Sequence, residues 1–249
     1  MDTSTTIIFC TDNSCPKDIF EVVVNRLRKV DLPIISVSHK PLDLGTNICI
    51  GKHKRSWLTL YKQISLGLQA ATTPNIHIAE HDCLYSEEHW AWRPPKDNIF
   101  YYNENVCLVE WSKGNEELNG MYSRFWAQRL ALSQLVCNRE LYLRVLEKRL
   151  DIIDKDRSLI KAIEHIGEPG VSRVKKARHW ADSGRPVYLK EFLGRVLELE
   201  KYETFATEIP NLDVRHDKNF TGPRRGRKRC YELPYWGKFE ELVVHENRT

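Results

Sequence analysis

The chain has 249 residues, of which 41% are hydrophobic and 29% charged, and its formal net charge is +4. These values are typical of a globular protein, and they exclude a disordered or fibrous chain. The modest charge does not by itself indicate a polyanionic partner. Seven cysteines occur without a CxxC pair, so we expect reduced thiols and no structural zinc site.

The N-terminal residues 1–6 lack the basic and apolar regions of a signal peptide. No apolar run is long enough to cross a bilayer. We therefore expect no membrane span and a cytoplasmic protein, located in the host cytoplasm if the chain is viral.

The first 38 residues predict a strand, a helix and a second strand. An apolar run over 6–11 ends in the polar loop that contains Thr11, Asp12 and Asn13. An amphipathic helix follows to about Val30, and 33–38 read as another buried strand. This order implies parallel strands with a right-handed crossover.

A second unit of the same kind follows. After a short strand over 47–50, Ser56 is placed to cap a helix that runs to about Ala71. The next strand, 75–79, leads directly into the tripeptide Glu80-His81-Asp82.

The second half has a different pattern. Two strands are predicted over 99–102 and 106–109, separated by a turn. Beyond residue 120 the pattern is mainly helical, with blocks over 123–154, 157–166 and 188–202. The predicted fold class is therefore α/β, with a mixed, mainly parallel, Rossmann-like sheet and a helical C-terminal part.

The polar residues after the strands are candidates for ligand binding, because ligands of an open parallel sheet bind beyond the carboxyl ends of its strands. In the tripeptide, two carboxylates are separated by one residue. Glu80 and Asp82 can therefore offer hard oxygen ligands to Mg²⁺ or Mn²⁺, and such a metal would carry a donor diphosphate.

Roughly the first 110 residues resemble, in pattern and topology, the donor half of GT-A glycosyltransferases. The residues that carry the resemblance are Gly51, Arg55, Ser56, Gly67-Leu68, Ala70-Ala71 and the run Ile76 to Asp82. The resemblance implies that Asp82 binds the metal and acts in catalysis, and that Glu80 contacts the ribose or the metal. It also implies a donor site formed by Thr11, Asp12, Asn13, Arg55 and Ser56. Glu80 departs from the first aspartate of the usual D-x-D motif.

A second polar cluster covers 213–222. His216 resembles the C-terminal histidine that completes the metal site in several GT-A enzymes, and a neutral imidazole is a competent ligand of Mn²⁺. Asp217 is a candidate catalytic acid or base.

Basic residues are concentrated in the second half. A glycine-containing loop over 222–229 could bind the donor diphosphate or the phosphates of an acceptor. A further run over 173–178 is followed by His179 and Trp180, and aromatic side chains between cations suit base stacking. The candidate phosphate-binding residues are Arg215, Arg224, Arg225, Arg227, Lys228 and Arg229.

The sequence thus favours a metal-dependent glycosyltransferase with a UDP-sugar donor and a hydroxyl acceptor. Residues 1–120 would bind the nucleotide sugar, and 121–249 would form the acceptor-binding half of the same domain. By analogy with GT-A-like enzymes of phages and kinetoplastids, the acceptor is predicted to be a hydroxymethylated pyrimidine in DNA. Two alternatives remain open: a nucleotidyltransferase, although the first loop lacks glycine, and a non-catalytic nucleic-acid-binding protein.

Overall fold

The computed structural model describes residues 4–113, 116–124, 130–155, 168–169, 200–219 and 227–246. Within these residues, no helix combines the length and the apolar character that crossing a membrane requires. The elements in chain order are β1 (Thr5–Thr11), α1 (Lys17–Arg28), β2 (Ile34–Ser38), β3 (Thr46–Cys49), α2 (Trp57–Ala70), β4 (Asn75–Glu80), β5 (Cys83–Leu84), α3 (Glu87–Ala91), β6 (Phe100–Asn103), β7 (Val106–Glu110), β8 (Tyr122–Arg124), β9 (Leu135–Asn138), α4 (Arg139–Lys155), β10 (Tyr202–Phe205), β11 (Asn211–Arg215), β12 (Arg227–Cys230) and α5 (Phe239–Glu246).

The strands form two sheets. A seven-stranded sheet has the order β10-β6-β9-β4-β1-β2-β3, and a five-stranded sheet has the order β12-β8-β7-β11-β5. In the larger sheet only β9 runs antiparallel to its neighbours, β4 and β6. The predicted α/β class with a mixed, mainly parallel sheet is confirmed.

Helices cover both faces of the larger sheet, which explains why β1 is apolar along most of its length. On one face, Ile8 packs with Leu68 of α2 and Leu146 of α4. On the other face, Phe9 packs in a cluster with Val23 of α1 and Phe239 of α5. A strand that is buried on both faces reads as a continuous apolar run and not as an alternating one.

Helix α2 begins where the sequence predicts. Its N-cap is Ser56, whose hydroxyl accepts a hydrogen bond from the Thr59 N–H at 3.1 Å. On its buried side, Gly67 lies directly against β1, since a Cβ at this position would be 2.6 Å from the Ile8 Cγ2. The glycine is therefore required by the close approach of helix and strand.

The predicted helix over 123–154 is wrong in its first half. Residues 122–124 form β8, 135–138 form β9, and the helix begins only at Arg139. Leu135, Val136 and Cys137 are fully buried between β4 and β6, so this apolar run belongs to a central strand. Tyr202 likewise begins β10 instead of ending a helix. The predicted helices over 157–166 and 188–199 lie outside the described residues.

The chain passes from the larger sheet to the smaller one three times: from β4 to β5, from β6 to β7 and from β10 to β11. The predicted strands at 99–102 and 106–109 both exist, but they belong to different sheets and do not pair. Asn103 and Asn105 fix the second crossing, because their side chains donate to the Thr207 hydroxyl (2.9 Å) and carbonyl (2.8 Å).

A buried ion pair joins α4 to the segment before β10. Arg149 is fully buried, and its Nη2 donates to both carboxylate oxygens of Glu200 at 2.7 Å. The Arg149 Nη1 also donates to the Tyr61 hydroxyl of α2 at 3.0 Å. Removing one partner would leave a buried charge, so this pair holds three elements in one arrangement.

Two buried histidines lie beside β4. The rings of His77 and His89 are fully buried with centroids 5.1 Å apart, and none of their nitrogens has a hydrogen-bond partner within the described part of the chain. Burial lowers the pKa of His89 from 6.5 to about 3. Between these two pH values, His89 is therefore protonated in the unfolded chain but neutral in the folded protein.

We expect the substitution His89→Phe to remove a pH-dependent loss of stability. The folded-state pKa of His89 lies below its unfolded value of 6.5. The stability that the neutral His89 ring provides is therefore fully present above pH 6.5 and is lost as the pH falls. Urea denaturation between pH 7.5 and pH 4.5 should show the parent losing up to ~1.4 kcal/mol per pH unit more than the variant. The control is His53→Phe on the surface, and parallel curves for parent and His89→Phe would contradict the assignment.

Candidate functional site

The main cleft lies where the strand order of the larger sheet reverses. From β1 the chain proceeds to β2 and β3 on one side, whereas β4 pairs with the other side of β1. The loops after β1 and β4 therefore diverge, which is where open α/β sheets bind their ligands. The Thr11 hydroxyl and the His81 Nδ1, 2.9 Å apart, join the two strand ends. The polar and charged side chains that line the cleft include Thr11, Asp12, His39, Arg55, Ser56, Gln63, Glu80, His81, Asp82, Ser133, Glu168, Asp213, Arg215 and Asn219.

Asp82 is held in place by two neighbours that arrive with β11. Its Oδ2 accepts a hydrogen bond from the Asn219 Nδ2 at 2.7 Å and lies 3.5 Å from the His216 Nε2. Burial acts to raise the pKa of Asp82, but the hydrogen bond from His216 and nearby positive charge outweigh it, so the pKa is lowered. Asp82 is therefore an ionised carboxylate with a fixed orientation.

His216 contacts Asp82 and Cys15 and is itself buried. Its Nδ1 accepts a hydrogen bond from the Lys218 N–H at 3.2 Å, so in the neutral ring the proton is on Nε2, on the side of Asp82. In this arrangement His216 orients the carboxylate. Its role as a metal ligand stays a prediction, and it requires the bond from Lys218 to break.

Carboxyl groups are crowded on the same wall. Burial, together with the negative charges of Asp82 and Asp213, raises the pKa of Glu80 well above its usual value. Arg215 opposes this effect, and its Nη1 donates to the Asp213 Oδ1 at 3.1 Å. A group of partly buried acids with one arginine is costly to maintain, and it favours a positively charged ligand.

A second wall of the cleft is basic. The Arg55 Nε lies 2.7 Å from the Asp12 Oδ2, and its Nη1 donates to the Lys218 carbonyl at 2.5 Å. Burial acts to raise the pKa of Asp12, but hydrogen bonds from Ser14 and the charge of Arg55 outweigh it, so the pKa is lowered. Arg55 is thus anchored from both sides at the mouth of the cleft.

The N-terminus of α2 opens onto the same cleft. Ser56, Trp57 and Thr59 of its first turn are lining residues. The first amides of a helix have no partner within the helix and carry a partial positive charge, so they attract anions. The Arg55 guanidinium and the α2 N-terminus together form an anion-binding wall in the cleft that the carboxylates also line.

The donor groups of the acidic wall fit a hard divalent cation. Carboxylate oxygens of Glu80 and Asp82 lie within 4.8 Å of each other, and oxygen ligands are those that Mg²⁺ and Mn²⁺ prefer. A second group of potential ligands, Cys15, His81 and His216, lies nearby. Its imidazoles are already bonded to Thr11 and Lys218, so the carboxylates are the better fit.

The remaining residues predicted from the sequence lie elsewhere. Asn13 does not line the cleft; its Oδ1 accepts from the main-chain N–H groups of His39 and Lys40 at 2.9 and 2.8 Å. Asp217 is exposed and accepts from the Lys113 N–H at 3.0 Å. Arg229 is exposed in β12. Arg224, Arg225, the side chains of Arg227 and Lys228, and the basic run over 173–180 lie outside the described residues.

The structure adds cleft residues that the sequence did not single out. Asp213 lies between the buried Leu212 and Val214 of β11, so the alternation of a strand could have placed it on the polar side. Glu168, His39 and Trp57 also line the cleft. His39 follows the strand β2 and Trp57 follows Ser56, so the strand-end rule and the α2 N-terminus could have indicated them. No sequence pattern indicates Glu168, because long-range folding alone brings it to the site.

Comparison with known proteins gives likenesses of fold only. Neither a protein-family model nor a characterised protein matches the sequence. Among solved structures, the galactosyltransferase LgtC, in complex with donor and acceptor sugar analogs, is 10% identical with a TM-score of 0.45, covering 96% of this chain and 95% of LgtC. A glycosyltransferase involved in glycosylation of the major capsid of PBCV-1 is 9% identical with a TM-score of 0.44, covering 99% and 100%.

The glycosyltransferase GlyE of Streptococcus pneumoniae TIGR4 is 9% identical with a TM-score of 0.38, and the match covers 81% of this chain. This chain spans 45% of the length of GlyE. At such identities and scores, the function has to be argued from the site itself.

We expect two acid-to-amide substitutions in the cleft to change stability in opposite directions. Glu80→Gln should raise the free energy of unfolding at pH 7.5 by ~1 kcal/mol, because it removes the cost of ionising a crowded, buried carboxyl. Asp12→Asn should lower it by ~1 kcal/mol, because the charge that pairs with Arg55 is lost. Urea denaturation in EDTA measures both, and changes of the same sign would refute the two electrostatic environments.

Proposed function

We propose that this protein is a glycosyltransferase that moves a sugar from a nucleotide-diphosphate donor, a UDP-sugar, to a hydroxyl acceptor. One observation carries the proposal: at the point where the strand order reverses, the partly buried carboxylates of Glu80, Asp82 and Asp213 line the same cleft as Arg55 and the N-terminus of α2. A metal-bound diphosphate matches both walls, because it offers a cation to the acids and phosphate oxygens to the basic wall.

In this proposal the donor occupies the cleft between the two walls. Arg55 and the first turn of α2 at Ser56 would bind the diphosphate. Asp12 would hold Arg55 in place, and Thr11 would support the cleft through its bond to His81. Glu80 would contact the ribose or the metal.

The metal would be Mn²⁺ or Mg²⁺, held by Asp82 with Glu80. When bound, such an ion neutralises the charge that develops on the departing diphosphate. The protein's own contribution is to keep Asp82 ionised and oriented through Asn219 and His216. Arg215, which also lines the cleft, would add positive charge beside the leaving group.

The acceptor hydroxyl needs a base if the reaction inverts the sugar's stereochemistry. Asp217, the residue predicted from the sequence, is an exposed residue outside the cleft lining, so it would act only after its turn moved. Glu168 lines the cleft, and its negative charge contributes to the raised pKa of Glu80. Glu168 is therefore the carboxylate that we favour for this role.

The two alternative functions make different demands on the cleft. A nucleotidyltransferase would use the same walls, but it would release pyrophosphate and not a nucleoside diphosphate. A non-catalytic nucleic-acid-binding protein has no need of the crowded, partly buried group formed by Glu80, Asp82 and Asp213. The crowded acids therefore favour an enzyme.

The decisive experiment is a thermal-shift assay with UDP, GDP and CMP, each with and without Mn²⁺. A ligand that binds only the native state raises the melting temperature, so UDP with Mn²⁺ should raise it by several degrees. Asp82→Asn should abolish the Mn²⁺-dependent part of the shift, and Arg55→Met should weaken UDP binding at least tenfold. Asp97→Asn, at an exposed position, is the matched control. Absence of a shift with every nucleotide would refute the proposal.

For the acceptor we propose a hydroxymethylated pyrimidine in DNA, bound by the half formed by residues 121–249. The support is the basic composition of 222–229, and Arg229, whose placement is described, is exposed. With radiolabelled UDP-sugar, we expect label on an oligonucleotide that contains 5-hydroxymethyl pyrimidines and none on the unmodified control. Hydrolysis or transfer to sugar acceptors, with no label on either oligonucleotide, would reject DNA while retaining the glycosyltransferase.

A further inference from the structure

A second cavity, of about 430 Å³, shares no lining residue with the cleft described above, although its residue Cys83 directly follows Asp82 in the chain. Its volume falls in the range of roughly 300–1,000 Å³ that is typical of small-molecule sites. The last turns of α1, the segment from Cys83 to Arg93 and the side chain of Tyr235 form its walls. We call this cavity the Tyr235 groove.

Rigid aromatic residues line the groove. Tyr85 and Trp90 are mostly buried with ring centroids 4.5 Å apart. The Tyr85 hydroxyl accepts a hydrogen bond from the Glu80 N–H at 3.0 Å, which fixes the orientation of the ring. Because both residues are only 7% exposed, they form a rigid base of the groove and leave the exposed aromatic surface to Tyr235.

Tyr235 adds a half-exposed ring in a strained backbone conformation. Its backbone φ is +73°, a value that residues other than glycine rarely adopt, and 56% of the residue is exposed. Hydrogen bonds in both directions between Leu233 and Gly237, at 3.1 and 2.8 Å, close the loop that carries it. Strain that the surrounding structure maintains at an exposed aromatic is typical of binding sites.

The neighbouring Trp236 anchors this loop. It is buried, and its Nε1 donates to the Pro210 carbonyl at 2.7 Å. The Arg26 guanidinium, which also lines the groove, lies 4.9 Å from the Trp236 ring centroid. The Tyr235 ring packs edge-to-face on the ring of Trp236, with centroids 5.2 Å apart, and this contact orients it.

The groove combines charges of both signs with these aromatic rings. Arg26, Lys29 and Arg93 carry N–H donors, and Asp31 and Glu87 carry carboxylate acceptors. Sugar hydroxyls both donate and accept hydrogen bonds, so they match a lining that carries charges of both signs. The apolar C–H face of a pyranose packs on an aromatic ring, so the lining matches a carbohydrate.

We propose that the Tyr235 groove is a carbohydrate-binding site for one or two pyranose units, separate from the donor cleft. The proposal goes beyond the transferase function and does not depend on it. Tyr235 stacks on the sugar face, and the charged residues of the rim bind its hydroxyls.

The test is saturation-transfer NMR with lactose, maltose, cellobiose and diacetylchitobiose, each at millimolar concentration. At least one disaccharide should receive saturation, and excess UDP with Mn²⁺ should not displace it. Tyr235→Ala should weaken binding at least tenfold. Tyr231→Ala is the matched control, because Tyr231 is 50% exposed on the same C-terminal segment but does not line the groove.

A second variant, Tyr235→Gly, separates lost contacts from lost folding. Glycine accepts the positive φ without strain, so the melting temperature should stay at or above that of the parent while sugar binding is lost. The proposal is overturned if no disaccharide binds, if UDP displaces the sugar, or if both Tyr235 variants bind as the parent does. The UDP thermal shift on the same samples reports on the transferase function independently.

Discussion

The site depends on one constraint, the passage of the chain from one sheet to the other within Glu80, His81 and Asp82. β4 ends in the larger sheet at Glu80, and β5 begins in the smaller sheet at Cys83. The Val214 N–H donates to the Asp82 carbonyl at 2.8 Å, so the crossing is tied to β11. Because β11 ends just before His216, this passage brings residues more than 130 positions apart in the chain to one carboxylate.

The electrostatics of the cleft follow from this passage. The crossing leaves the acidic side chains of Glu80, Asp82 and Asp213 on one wall, with Arg215 as a partial counterion. Such crowding destabilises the protein in the absence of a ligand, and natural proteins maintain it mainly where function requires it. The fully satisfied pair of Arg149 and Glu200 shows the contrast, since its charges are matched within the fold and leave nothing to bind a ligand.

Sequence patterns could predict the elements that short-range physics determines. The apolar run of β1, the amphipathic α1 and the Ser56 cap of α2 depend only on neighbouring residues, and they were predicted correctly. β9 was taken for helix, because a buried run of four residues between helical patterns has no distinguishing period. The tripeptide could be placed at a strand end, but Asp213 and Glu168 reach the cleft only through long-range strand pairing and folding, which no local pattern encodes.

The contact between Gly67 and Ile8 has a consequence for the shape of the cleft. Helix α2 has 14 residues and is roughly 21 Å long, and it contacts β1 closely at Gly67, near its C-terminal end. Its other end carries the basic wall. A methyl group at Gly67 would tilt the helix, and the displacement would grow along its length to reach Arg55. The absence of a side chain at Gly67, about three helical turns from Arg55, therefore helps to set the width of the cleft.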